Sequence, residues 1–491
     1  MLSIRGGNIK NTSLIIIRKR CVQLEQDHKK LSYIFNPRSV AMVGASNEKG
    51  KMGHLFMSNI ITGGWQGKIY PINLKEPEVQ GYKAYPTVKD VPDEVDLAIV
   101  VVPPKFVSSV IKDCAEKGVK GAVVITAGFK ETGPEGAALE KEFADIAKKA
   151  GIRVVGPNCF GIYNCNIGLN ASMGMGTPPK GGDISFATQS GAYGMAIFST
   201  AMDRNIKFAK VVAYGNKSDV DDVDAIKYFG EDPETKVIAL FVESIDRGRE
   251  FFDAACQVTK KKPVVSTKTG RTIAAARAAT SHTGALAGTF ETYRTAFKQA
   301  GVIFARTGLE LIDYIKAFDW QPLPKGNRVG ILTNSGGTAV ELTDLCVENG
   351  LDVPELPPEL QAKIKPWLLP FASARNPIDL TPDWTRFKEL YYKCTVELFE
   401  APNIDIVAPI LLQRSATQEV AEVVRDAAIE CQTKRGIKKP ILICWVSLRE
   451  MEKNQKILEE THIPVYEWPE RTARTAGAMW QYANYLKSQG I

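Results

Sequence analysis

Val40-Ala41-Met42-Val43-Gly44-Ala45-Ser46-Asn47 is an apolar run stopped by a turn of small residues, with Gly50, Gly53 and a helix-like segment behind it. The run is too short for a helix and shows no polar alternation, which is the pattern of a strand buried on both faces. Four more strands are expected on the same grounds. They are Lys68-Ile69-Tyr70-Pro71-Ile72-Asn73, Asp96 to Val102, Gly121 to Thr126, and Arg153-Val154-Val155 before Gly156-Pro157-Asn158. Amphipathic stretches of helical length, such as Lys105–Lys117 and Glu135–Ala150, lie between most of them. Buried strands alternating with helices predict an α/β fold with a doubly wound parallel sheet.

Beyond Gly174–Gly182, a linker containing Pro178-Pro179, the pattern restarts. Asp183–Ala187 runs into Thr188-Gln189-Ser190-Gly191 and a helix. Val237–Val242 ends at Glu243, and Pro263–Thr267 ends at Lys268-Thr269-Gly270. After a second linker, Pro322–Asn327, Arg328–Thr333 turns at Asn334-Ser335-Gly336-Gly337 into the helix Thr338–Asn349. Ile404–Leu412 and Pro440–Trp445 supply further strands. The expected division is an N-terminal extension over 1–30 and domains over 31–172, 183–321 and 326–491. The extension carries Arg5, Lys10, Arg18, Lys19 and Arg20 before its first acid, Glu25. It reads equally as a weak transit peptide, a mis-chosen start or a disordered tail, and takes no part in the fold.

A length of 491 residues with 44% hydrophobic and 24% charged content is that of an ordinary globular protein with several domains. No apolar run reaches the length of a membrane span, so no membrane association is expected. A net charge of +7 suits anionic ligands, but there is no basic stripe interleaved with aromatics, and nucleic-acid binding is not expected. Nine cysteines lie scattered without CxxC or His/Cys ligand spacing. They point to reduced thiols in a cytoplasmic protein, with neither a disulfide framework nor a metal site.

Each of the three units repeats one design: strand, Gly/Ser-rich turn, helix N-terminus. Unpaired N–H groups and the helix dipole there favour an anion. At Gly44, Ala45, Ser46 and Asn47 the fingerprint G-x-G-x-x-G is absent, and the second strand ends at Asn73-Leu74-Lys75 without an acid. A lysine such as Lys75 prefers a phosphate to a ribose diol. The site therefore favours a phosphorylated nucleotide such as coenzyme A over NAD; the strand-end turns at Pro103, Thr126, Gly128 and Asn158 are candidates to contribute, though by composition alone they also read as ordinary turns. A different chemistry is suggested by Arg-Ala-Ala-Thr-Ser-His-Thr-Gly-Ala-Leu-Ala-Gly at residues 277–288. It sets His282, one of four histidines, among small residues where a neutral imidazole nitrogen can act as a nucleophile.

Taken together, Val43-Gly44-Ala45-Ser46, Gly156-Pro157-Asn158, Gln189-Ser190-Gly191-Ala192, Glu243, Ser281-His282-Thr283-Gly284, Thr333-Asn334-Ser335-Gly336-Gly337 and Asn376-Pro377-Ile378-Asp379-Leu380 carry a resemblance. From about residue 31 to 491 the chain resembles the α subunit of the ADP-forming (NDP-forming) acyl-CoA synthetases, relatives of succinyl-CoA synthetase. The resemblance implies a Rossmann-like CoA-binding domain followed by two flavodoxin-like doubly wound domains. It implies the reaction acid + CoA + ATP ⇌ acyl-CoA + ADP + phosphate, by way of an acyl phosphate and a phosphohistidine at His282. Glu243 would accept a hydrogen bond from the ring nitrogen that carries no phosphate. Ser190 and Gly191, and Ser335, Gly336 and Gly337, would offer helix N-termini to phosphate. The family also needs an ATP-grasp module; with the chain taken up by three domains and no P-loop or kinase signature present, the resemblance implies that ATP/ADP and Mg2+ sit on a separate ATP-grasp β subunit, in an α2β2 heterotetramer. The other substrate is a small carboxylic acid. Two rivals remain: a non-catalytic CoA- or acyl-CoA-sensing protein on the same scaffold, and an NAD-linked oxidoreductase.

Overall fold

The computed structural model describes residues 30–174, 176–275, 277 and 289–491. It is α/β throughout and divides into two compact units. The first comprises the described residues through Ser199, with Lys207–Val258 and Lys268–Tyr293. The second comprises Thr200–Ile206, Thr259–Thr267 and Arg294–Ile491.

The first unit opens with β1 (Ser39–Val43), α1 (Met52–Thr62), β2 (Lys68–Ile72), β3 (Leu97–Val100), α2 (Pro104–Lys117), β4 (Gly121–Val124), α3 (Pro134–Ala150) and β5 (Arg153–Val155). The strands form a five-stranded sheet in the order β2-β1-β3-β4-β5, every pairing parallel. β1, β3 and β4 are buried along their whole length, as expected of strands with helices on both faces. α2 starts with Pro104 in its first turn and stops at left-handed Gly118; α3 does the same with Pro134 and Gly151. Val107, Ile111 and Cys114 recur at helical spacing on α2 and pack with Phe143 and Ala147 of α3 onto Ala98, Val100 and Val124. Each large apolar side chain so buried contributes about 1.5–3 kcal/mol.

The same unit holds β6 (Gly161–Asn164), β7 (Leu169–Ser172), β8 (Ile184–Thr188), α4 (Gly191–Asp203), β9 (Phe208–Ala213), α5 (Asp222–Glu231), β10 (Val237–Val242) and α6 (Gly248–Val258). Their sheet order is β10-β8-β9-β6-β7, with β6 and β7 antiparallel. Residues 161–172 thus supply two strands to this second sheet. Their buried polar groups are satisfied: Asn164 Nδ2 donates to Phe35 O at 2.9 Å, and Asn59 Nδ2 donates to Ser172 O at 2.8 Å.

In the second unit, Val265–Thr267 of β11 (Val264–Lys268) pair in parallel with β12 (Ile303–Ala305), and α7 (Phe290–Gln299), whose first residues belong to the first unit, lies between them in sequence. After α8 (Gly308–Trp320) come β13 (Val329–Thr333), α9 (Gly336–Glu348), β14 (Ile378–Asp379), α10 (Phe387–Glu400), β15 (Ile406–Leu412), α11 (Gln418–Ile429), β16 (Ile443–Val446), β17 (Val465–Tyr466) and α12 (Pro469–Ser488). These strands form a parallel sheet in the order β14-β13-β15-β16-β17. Leu332, Val407, Leu411 and Ile443 of the sheet pack with Leu390, Cys394, Val424 and Ala428 of α10 and α11. No helix among the described residues is long and apolar enough to cross a membrane.

Candidate active site

In each of the three larger sheets one strand has the two that follow it in that sheet on its opposite sides. β1 lies between β2 and β3, β8 between β9 and β10, and β13 between β14 and β15. Such a switch point opens a crevice at the carboxyl ends of the strands, where α/β sheets bind ligands. The three Gly/Ser turns singled out in the sequence follow β1, β8 and β13, so each sits at a switch point.

The turn after β1 holds Gly44 at φ +87°, and Asn73 Nδ2 donates to Ala45 O at 2.8 Å. Ser46 is buried, and its hydroxyl accepts the Glu48 N–H at 3.0 Å. The Asn47 side chain is committed to residues 76–80: Oδ1 accepts the Gln80 N–H at 2.8 Å, and Nδ2 donates to Glu78 O at 2.9 Å. Lys75 is exposed.

A cleft of about 760 Å³ lies within the first unit. Of the candidate residues, it gathers Pro103, Thr126, Asn158, Ser190, Gly191 and Glu243; Gly44, Ala45, Ser46, Asn47, Lys75 and Gly128 are not in its lining. Ser190 and Gly191 present the start of α4, whose first turn has no acidic side chain. Thr188 Oγ1 donates to Ser190 O at 2.8 Å and fixes the turn. The open N–H groups there attract an anion.

Glu243 follows β10, and the backbone around it is held from several sides. Gln189 Oε1 accepts the N–H groups of Glu243 at 3.2 Å and Ser244 at 3.0 Å. Lys217 Nζ donates to Ser244 O at 2.7 Å and to Asp222 Oδ2 at 2.8 Å, while Tyr214 Oη donates to Asp222 Oδ1 at 2.9 Å. Lys217 has φ +56°, a strained setting for a lysine, with its side chain buried at the cleft. Burial raises the Asp222 carboxyl above its usual range, although Lys217 and Tyr214 pull the other way. Burial likewise draws the Lys268 ammonium below the usual lysine range, opposed by the Glu243 charge and helped by Lys217.

Glu131 also lines the cleft, and its Oε1 accepts the Gly128 N–H at 2.6 Å and the Phe129 N–H at 3.1 Å. Its Oε2 accepts from Asn216 Nδ2 at 2.6 Å. Burial pushes Glu131 upward, yet these bonds, led by the one from Asn216, hold it below the usual carboxylate range. Asn158, at φ +54°, donates its N–H to Thr126 O at 2.8 Å. Glu131, Asn216, Lys217 and Asp222 were absent from the sequence-based selection. The turn Tyr214-Gly215-Asn216-Lys217 closes β9, and recognising that strand would have exposed the turn as another strand-end site.

Within the second unit, Ser335 N–H donates to Thr333 Oγ1 at 2.9 Å, and Asn334 Oδ1 accepts from Tyr391 Oη at 3.0 Å and Ser415 Oγ at 2.8 Å. Gly336 and Gly337 open α9. A β-carbon on Gly336 would stand 3.4 Å from Asp379 Oδ2, so an anion in this turn would meet a nearby carboxylate. His282, with Ser281, Thr283 and Gly284, lies outside the described residues. Among the described residues, no cluster of His, Cys, Asp and Glu could hold a metal ion.

Three family models match in succession: a CoA binding domain over residues 38–164, a succinyl-CoA ligase like flavodoxin domain over 181–318, and a ligase-CoA domain over 329–488. The chain is 43% identical to the α subunit of acetate–CoA ligase [ADP-forming] II of Pyrococcus furiosus, covering 92% of this chain and 98% of that one. It is 36% identical to a 4-hydroxybutyrate–CoA ligase [ADP-forming] of Nitrosopumilus maritimus, covering 93% of this chain and 65% of the relative. Among solved structures, a dinucleotide-forming acetyl-coenzyme A synthetase 1 of Ca. Korarchaeum cryptofilum, in complex with phosphate and ADP, superposes with a TM-score of 0.87 at 39% identity. That match covers 94% of this chain and 99% of the other. The α/β design, the CoA-binding domain and full-length matches of this strength answer both rivals, and the chain belongs to the family of ADP-forming acyl-CoA ligase α subunits.

Proposed function

We propose that this chain carries out the CoA and acyl chemistry of acid + CoA + ATP ⇌ acyl-CoA + ADP + phosphate, with a small carboxylic acid as substrate. The observation that carries the reading is the meeting of Glu243 with the Ser190-Gly191 helix start in one cleft. A carboxylate able to orient an imidazole and a set of N–H groups able to hold phosphate are what a phosphohistidine requires.

His282 Nε2 or Nδ1 would take the phosphoryl group from an acyl phosphate and pass it on. Glu243 would accept the N–H of the other ring nitrogen, fix the tautomer and offset the positive charge that develops on the ring. Ser190 and Gly191 would bind the phosphate through backbone N–H groups, with Ser335, Gly336 and Gly337 as a second phosphate turn. CoA fits the end of the first sheet. Gly44 allows close backbone approach, and where a dinucleotide site would place an acid stands Asn73, bonded to Ala45 O. Lys75 would supply a cation to its phosphates, and Pro103, Thr126, Gly128 and Asn158 would line its course. Domains over 31–172, 183–321 and 326–491 form part of the same reading.

Relatives named as α subunits imply a separate partner subunit. We assign ATP/ADP and Mg2+ to an ATP-grasp β subunit, the assembly to an α2β2 heterotetramer and the location to the cytoplasm. The test is co-expression with an ATP-grasp chain and assay of ADP formation over a panel of acids. The reading requires turnover that depends on both chains, on CoA and on the acid. CoA binding without any such turnover would overturn it in favour of a sensor.

A further inference from the structure

Lys268 ends β11, and Tyr293 lies in the first turn of α7; the stretch of sequence between them contains His282. Both sides of that stretch are fastened to the same four residues. Thr269 N–H donates to Val242 O at 3.2 Å. Tyr293 Oη accepts the Ile245 N–H at 3.1 Å. The Lys268 ammonium sits 4.8 Å from the centre of the Tyr293 ring, which joins the two sides to each other, and it also donates to the neighbouring Thr269 O. With Gln189 holding the N–H groups of Glu243 and Ser244, and Lys217 holding Ser244 O, the main chain over 242–245 is tied down on all sides.

Resting on the reading above, we propose that Lys268 and Tyr293 form a clasp that holds the backbone of Glu243, acting as positioning residues for histidine phosphorylation. A strand end at a cleft mouth would ordinarily fray. Here it is bonded to Thr269 and Tyr293, so the main chain that carries the carboxylate is held in one place. Neither residue needs to touch the phosphoryl group. Their effect reaches the chemistry through the position of Glu243.

Three variants separate the parts. Tyr293→Phe removes only the phenolic oxygen and keeps the ring under the ammonium. Lys268→Met keeps the stem and removes the charge, and Lys268→Arg restores a cation. With the full chain, amide hydrogen exchange should rise at 242–245 in Tyr293→Phe and stay unchanged in the first sheet. In the complex with the ATP-grasp chain, given a panel of acyl-CoAs and radiolabelled phosphate, acid-labile labelling should slow by about 10–100-fold in Tyr293→Phe and Lys268→Met. The KM for CoA should stay constant, and Lys268→Arg should recover most of the rate. If the wild type labels, His282→Asn does not, and both clasp variants label at the wild-type rate, the clasp is overturned. If the wild type fails to label, the proposed function falls, and unchanged exchange at 242–245 in Tyr293→Phe overturns the clasp independently.

Discussion

A β-carbon on Gly53 would lie inside the van der Waals surface of the Gly44 carbonyl oxygen and 2.8 Å from its carbonyl carbon. Helix α1 therefore packs directly against the turn that closes β1, and only a residue without a side chain permits it. Gly44 itself has φ +87°, with Val101 and Val102 beside it. The two glycines do separate jobs: one forms the turn, the other lets the helix approach it.

Gly53→Ala should consequently distort the turn. A destabilisation of at least roughly 1–3 kcal/mol is expected, as for an overpacked core, together with weaker CoA binding. Urea unfolding and calorimetry with CoA check both. A variant with wild-type stability and affinity would show that the close packing of α1 on this turn is dispensable.

All three sheets are stapled at the ends opposite their switch points. Arg38, just before β1, bonds Asp96, just before β3, through Nε at 3.0 Å and Nη2 at 3.1 Å. Arg328 and Asp405 repeat the arrangement before β13 and β15, with Nε at 2.7 Å. Asp183 and Lys236 do so with the signs exchanged before β8 and β10. Burial disfavours ionisation of Asp96 and Asp405, but their arginines outweigh it and hold both below the usual carboxylate range. A depressed folded-state pKa stabilises the fold above the unfolded value of about 3.9, and the benefit is lost as pH falls through the folded-state values. Asp96→Asn should cost roughly 1.5–3 kcal/mol near neutral pH and should flatten the acid limb of the stability profile. An acid limb as steep as that of the wild type would exclude the staple as its source.

What was legible in the sequence was whatever an uninterrupted apolar run could announce. β1, β10 and β13 are such runs and β8 is broken only by Ser185, and each Gly/Ser turn follows one of these strands. β9 escaped because Lys210 stands in its middle. The lysine is fully buried, and its Nζ donates to Asp232 at 2.8 Å and is also paired with Glu234, contacts that no local pattern reveals. With β9 went the turn at its end, and so Asn216, Lys217 and Asp222 were missed. β6 and β7 were hidden by polar residues such as Asn164, Asn170 and Ser172, whose burial depends on partners distant in sequence. Glu131 was missed for another reason: it caps its own turn from three residues away, and a carboxylate there reads as surface.

Lys217 and Asp222 should behave as a buried pair. Removing one partner leaves the other without compensation, so Lys217→Met should cost about 3–5 kcal/mol. Lys217→Met combined with Asp222→Asn should cost less than the sum of the two single changes. Unfolding of the three variants, read as a double-mutant cycle, decides the matter. Additive effects would mean that the 2.8 Å contact carries no coupling.

The final expectation concerns the phosphoryl carrier. With the ATP-grasp chain and ATP, or with acyl-CoA and phosphate, the wild type should take up label that acid removes and base does not, since phosphohistidine is acid-labile. Phosphoserine at Ser281 would show the reverse pattern. His282→Asn retains size and some hydrogen bonding without a nucleophilic nitrogen, and it should abolish labelling while leaving CoA affinity intact. Glu243→Gln keeps the backbone held by Gln189 and Lys217 but loses the charge that steadies the ring. It should slow labelling by about 10–100-fold, the usual cost of losing a carboxylate that orients a reactive imidazole. The two variants thus differ in kind, one abolishing the carrier and one slowing its loading. Normal turnover in His282→Asn would exclude a phosphohistidine at this position and leave the Glu243 cleft without the role assigned to it.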